Sequence, residues 1–171
     1  MNYELRKNLT AAYNLCDSIE ATPYGQNIVK KYNMKIRHII DVDLIAFLTY
    51  LSTSDGRLND AEIRVINEYF PQFNLDAQSV SEAASRFNIR SADFENTVPR
   101  PVEIFVDIDK KFGDTENGRN QLAASSTMYA IYFDLAKELI ERDANATSKE
   151  IHEADTYVGK IRNYIFSKLD V

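Results

Sequence analysis

At 171 residues, with 44% hydrophobic and 27% charged side chains, the chain has the length and composition of one soluble globular domain with a real core. Twenty basic residues against 26 acidic ones leave a net charge of −6. The basic residues are scattered rather than gathered in a stripe, which excludes nucleic acid as the main partner. Cys16 is the sole cysteine, so an intramolecular disulfide and a thiolate zinc site are excluded. Residues 1–7 lack the apolar run of a signal peptide, and no stretch is apolar enough to span a bilayer. These features predict a cytoplasmic protein without direct membrane insertion.

Leu5, Leu9, Ala12, Tyr13, Cys16 and Ile19 recur at helical spacing and predict one amphipathic helix over the first twenty residues, broken by Thr22-Pro23-Tyr24-Gly25. Cys16 on that stripe reads as a small buried hydrophobe rather than a nucleophile. Ile28, Val29, Tyr32, Ile36 and Ile39 make a second stripe. Asp41 reads as the cap of a helix from Val42 to Ser52 that is apolar nearly all round, the mark of a central helix. Ile63, Ile66, Tyr69 and Phe70 line the next helix, which Pro71 stops. Ser79 with Glu82 reads as a capping box ahead of Val80, Ala83, Ala84 and Phe87. After Pro99 and Pro101, a stripe of Val102, Phe105, Val106 and Phe112 is closed by Gly113, with Asp107, Asp109 and Asp114 read as a solvated face. Residues 114–120 are polar and read as a flexible connection between two halves. Two long helices finish the chain, lined by Leu122, Ser125, Tyr129, Tyr132, Phe133, Ala136, Leu139 and Ile140, then by Ile151, Ala154, Val158, Ile161, Ile165 and Leu169. No segment alternates with period two. The expected fold is therefore all-α, a single domain over 1–171 of about seven to nine helices.

The chain is organised around the acidic turn Thr53-Ser54-Asp55-Gly56-Arg57-Leu58-Asn59-Asp60-Ala61-Glu62. Gly56 suits the left-handed position after a helix, and Asn59 with Glu62 three residues on forms a capping box that opens the next helix. The turn returns as Asp143-Ala144-Asn145-Ala146-Thr147-Ser148-Lys149-Glu150. A shift of 88 residues places Leu51 on Leu139, Asp55 on Asp143, Glu62 on Glu150, Ile63 on Ile151 and Tyr69 on Tyr157. An internal repeat over roughly 42–73 and 130–161, two related helical hairpins, follows. Ala144 replaces the glycine in the second copy, which leaves Asn145 as the candidate for the left-handed role there.

The run from Phe47 to Glu62 resembles the first acidic motif of the tellurite-resistance TerB-like domains, and Asp143 to Glu150 resembles the second. The resemblance implies an all-helical module tied to stress response, which works beside another protein or a neighbouring domain. It also implies that Asp55, Glu62, Asp143 and Glu150 are candidate ligands of a divalent metal. A hard cation such as calcium or magnesium wants several oxygen ligands, and two turns packed side by side would supply four carboxylates. Capping accounts for the same residues without a metal, since Asp55 suits a helix-ending turn and Glu62 suits both the capping box and the positive end of a helix. An EF-hand is excluded by the Gly that directly follows Asp.

Catalysis has little support. The histidines are His38 and His152; His152 and Asp155 share a helical face without a second histidine, and no nucleophile elbow or phosphate-binding loop appears. Two readings stand: a non-enzymatic TerB-like module for sensing or protein interaction that binds a divalent cation, or a pure protein-binding accessory domain or inhibitor with structural turns only.

Overall fold

A computed structural model describes residues 2–56, 58–93, 97–113, 115–116, 119–120 and 123–169. These form eight α-helices: α1 (Tyr3–Glu20), α2 (Pro23–Tyr32), α3 (Ile36–Ser52), α4 (Asp60–Tyr69), α5 (Ala77–Ala92), α6 (Arg100–Phe112), α7 (Ala123–Arg142) and α8 (Ser148–Leu169). Between α6 and α7, Thr115–Glu116 pairs antiparallel with Arg119–Asn120, inside the segment expected to be a flexible connection. The expected all-α bundle is what forms. Leu122, Asp114 and Arg57 lie outside the described residues.

Local chemistry sets the boundaries. The Asn2 side chain accepts from the amides of Glu4 and Leu5 and so opens α1, which buries Leu5, Leu9, Ala12, Cys16 and Ile19 in steps of three and four. Burial pushes the Cys16 thiol up to about 12, so it stays protonated and inert. The α1–α2 break is short because Thr22 caps α2 and Pro23 supplies its first turn without needing an N–H partner. Gly25 lies so close to the end of α1 that a Cβ there would sit 2.1 Å from the Ile19 carbonyl oxygen.

Helix α3 is the hub and contacts each of the other seven helices. Its low polarity around the whole circumference is what lets it do so. Phe47 sits at its middle, fully buried, with ring centroids 5.1 Å from Tyr132 of α7, 4.9 Å from Tyr157 of α8 and 6.4 Å from Phe87 of α5. Asp43 is buried one turn earlier, where it accepts from the Tyr132 hydroxyl at 3.0 Å and pairs with Arg90 of α5 at 3.2 Å. Burial raises the Asp43 carboxyl above the ordinary range, opposed by the Arg90 charge and the two hydrogen bonds.

Several acidic residues play parts other than those expected. Asp41 does not cap a helix: α3 begins five residues earlier, at Ile36, and Asp41 is buried inside it, accepting from the Tyr13 hydroxyl and from Gln72. Its two partners come from α1 and from the turn after α4, elements whose proximity the local pattern does not encode. Asp76, rather than Ser79, caps α5, and Ser79 is the residue whose amide it receives at 2.9 Å. Asp109 is not solvated. It is buried, and its carboxylate accepts from the amides of Ala124 and Ser125 at 2.9 and 2.8 Å and from the Ser125 hydroxyl. Asp109 thus caps α7 from another helix. Conversely, Phe112, Phe133 and Ile151, placed on apolar stripes by their spacing, are 50%, 46% and 42% exposed. In α7 the buried face instead includes Met128, Ile131 and Leu135.

Candidate functional site

The two acidic turns follow α3 and α7, and each is closed by a helix that opens on a capping box. In the first, the Asn59 side chain accepts from the amides of Ala61 and Glu62, while Glu62 Oε2 accepts from the Asn59 amide at 2.8 Å. In the second, the Thr147 hydroxyl accepts from the Glu150 amide at 3.2 Å, and Glu150 Oε2 accepts from the Thr147 amide at 2.7 Å. Helices α4 and α8 start at Asp60 and Ser148, 88 residues apart. Both glutamates are buried, at 2% and 6% exposure.

The preceding halves of the turns differ. Helix α3 ends at Ser52, three residues before Asp55, and the chain turns through Gly56 with φ of +79°. Helix α7 runs on to Arg142, so Asp143 follows it directly, and the Asp143 carboxylate accepts from the Asn145 amide at 2.9 Å. Among the described residues other than glycine, only Asn33 and Asn74 have positive φ, so Asn145 does not take the left-handed role expected of it. With Asp143 itself folding the chain back through its side chain, a left-handed residue is not needed there.

These differences decide which carboxylates meet. Oxygens of Glu62, Asp143 and Glu150 lie within 4.8 Å of one another. Asp55, half-buried, stands outside that triad, although its charge still reaches Glu62. The triad faces a cavity of about 10 Å³, walled otherwise by Leu51, Leu139, Ile140 and Ala146, which is the room one water-sized body needs. Apolar walls strengthen the repulsion between the carboxylates by excluding solvent. Burial pushes the Glu62 carboxyl up to about 7; the Asn59 amide opposes the shift, and the charges of Glu150, Asp143 and Asp55 add to it. The amino ends of α4 and α8 offset part of this repulsion.

Each capping bond engages Oε2 of its glutamate, and a carboxylate offers about four lone-pair directions over two oxygens. Capping therefore leaves acceptor capacity on both glutamates. Three carboxylates around a one-ion space are the oxygen-only donor set that a hard cation takes, with carbonyls or water completing the shell. The fit favours such an ion over a soft one, since no sulfur or imidazole is in the triad.

Other candidates separate. His152 and Asp155 are both exposed, and His38 stacks on Phe73 at 5.8 Å. Among the described residues, no histidine joins a cluster of three or more metal-ligating side chains. Sequence reasoning missed Lys149, whose ammonium donates to the Ser54 carbonyl and ties the first turn of α8 to the turn after α3. The only sequence signal for it is one basic residue directly preceding Glu150 in the second acidic motif. Compared with protein-family models, with curated proteins and with solved structures, the chain matches none. No helix of the described residues is long and apolar enough to cross a membrane.

Proposed function

We propose that the chain is a non-enzymatic, TerB-like helical module that binds one divalent cation, calcium or magnesium, where its two acidic turns meet. The observation that carries this reading is the convergence of Glu62, Asp143 and Glu150 within 4.8 Å, from turns 88 residues apart, around a space of single-ion size. Like charges at that spacing, two of them buried, are relieved by a proton or a cation between them. A cation bound by both turns links α3–α4 to α7–α8, and that linkage suits a cytoplasmic sensing or interaction module that reports to another protein or a neighbouring domain. Asp55 serves as an outer charge that draws the cation in.

A second reading, a pure protein-binding accessory domain or inhibitor with structural turns, is favoured by the capping bonds that both glutamates make. Glutamine separates the two, because it caps nearly as well as glutamate but lacks the charge that a hard cation requires. Calorimetric titration of calcium and magnesium should show one saturable site in the wild type, with Glu62→Gln and Glu150→Gln each folding normally and binding at least tenfold more weakly. Absence of saturable heat in the wild type, or undiminished binding in both variants, would sink the cation reading and leave the structural one.

A further inference from the structure

A second site lies on the other side of the same turn. The residues after α3, the middle of α5 and the first turns of α8 enclose an open cleft of about 380 Å³, within the usual range of small-molecule sites. The α5 wall is made of Ser81, Ala84, Ser85 and Asn88, none of them long, which leaves the space open. The opposite wall carries Ser54, whose hydroxyl oxygen is buried and has no hydrogen-bond partner.

The charges in the cleft identify the ligand class. Lys149 and Glu153 stand one helical turn apart on α8, at a spacing where opposite charges ordinarily pair. Among the described residues no ion pair joins them. Lys149 donates instead to the Ser54 carbonyl, and Glu153 accepts from the Tyr50 hydroxyl at 2.5 Å. An ammonium has three donors and a carboxylate has two oxygens, so each keeps capacity toward the cleft. A simple anion would meet the repulsion of Glu153, and a simple cation that of Lys149. A neutral polyol can hydrogen-bond to both groups but brings no opposite charge to either. A molecule with a carboxylate and an ammonium satisfies both at once.

We propose that this cleft binds a small zwitterion of the amino-acid class, its carboxylate on Lys149 and its ammonium on Glu153, with the exposed Ser81 and Ser85 hydroxyls of the α5 wall completing its hydrogen bonds. The site is distinct from the carboxylate triad and does not rest on cation binding there. The test is calorimetric titration of the full chain with the twenty L-amino acids one by one, with sodium acetate, ethylamine and sucrose as single-feature controls. At least one amino acid should bind saturably and more tightly than all three controls. Lys149→Met and Glu153→Gln should each weaken it tenfold or more. Ser85→Tyr, at an exposed helix position where folding is insensitive, should fill the cleft and abolish binding, whereas Glu62→Gln should leave it intact. Failure of every amino acid to bind, a control that binds as tightly, or unchanged affinity in Ser85→Tyr would overturn the proposal.

Discussion

Glu62 holds two jobs on one carboxylate, closing a capping box through Oε2 and facing Asp143 and Glu150 across a one-ion cavity. Its carboxyl is pushed up to about 7 in the fold, against an ordinary 4.5. Between those values the folded chain holds a proton that the unfolded chain has released, so the free energy of unfolding should fall as pH rises through that window and level off above it. Urea unfolding in chelator across a pH series checks this: the decline should be present in the wild type and missing in Glu62→Gln. An equal decline in both would assign it to other groups. Asp109 is the opposite case, an acid whose value is structural. Removing its carboxylate in Asp109→Ala leaves two buried amides at the start of α7 unpaired, and the loss should be about 3 kcal/mol, a cap plus a buried donor. Denaturant unfolding that shows less than about 1 kcal/mol, the range of an ordinary surface change, would contradict the burial seen here.

At the scale of elements, the turn after α3 depends on Gly56, which has φ of +79° with open space around its missing Cβ. Gly56→Ala should therefore cost about 1 kcal/mol through backbone strain alone, measured as a lowered midpoint of unfolding, and an unchanged midpoint would refute a left-handed requirement. The sequence made this position readable because Asp-Gly before a capping box has few other uses. It also made the hub α3 readable, since a run from Leu44 to Leu51 without a polar face has nowhere to go but the centre. The capping boxes at Asn59 and Thr147 were legible for the same reason: both bonds lie within four residues. What stayed hidden was set by distant partners. Asp41, Asp109 and Lys149 sit on locally ordinary polar positions, and only the packing of other helices against them decides their role. The same limit explains why Asp55 and Asp143 are not equivalent. Their motifs align, but α7 runs on to the residue before Asp143 whereas α3 stops three before Asp55, which changes the direction of each side chain.

For the whole molecule, the two hairpins are joined at their centre and at one end. Phe47 stacks on Tyr157 and meets Tyr132 edge-on at the centre, and the acidic triad closes one end. Arg142 adds a further tie, pairing with Glu68 of α4 at 2.6 Å and with Glu138 of its own helix at 2.8 Å. An ion at the triad would then act on the relation between the hairpins rather than on a loose loop. That is what a module reporting cation level to a partner needs. The most direct test of this account is a crystal grown with manganese, a hard cation that stands in for calcium or magnesium at oxygen sites and scatters anomalously. One anomalous peak is expected between Glu62, Asp143 and Glu150, within about 2.0–2.6 Å of their carboxylate oxygens. A well-ordered triad without a peak at saturating manganese, or a peak elsewhere only, would contradict it.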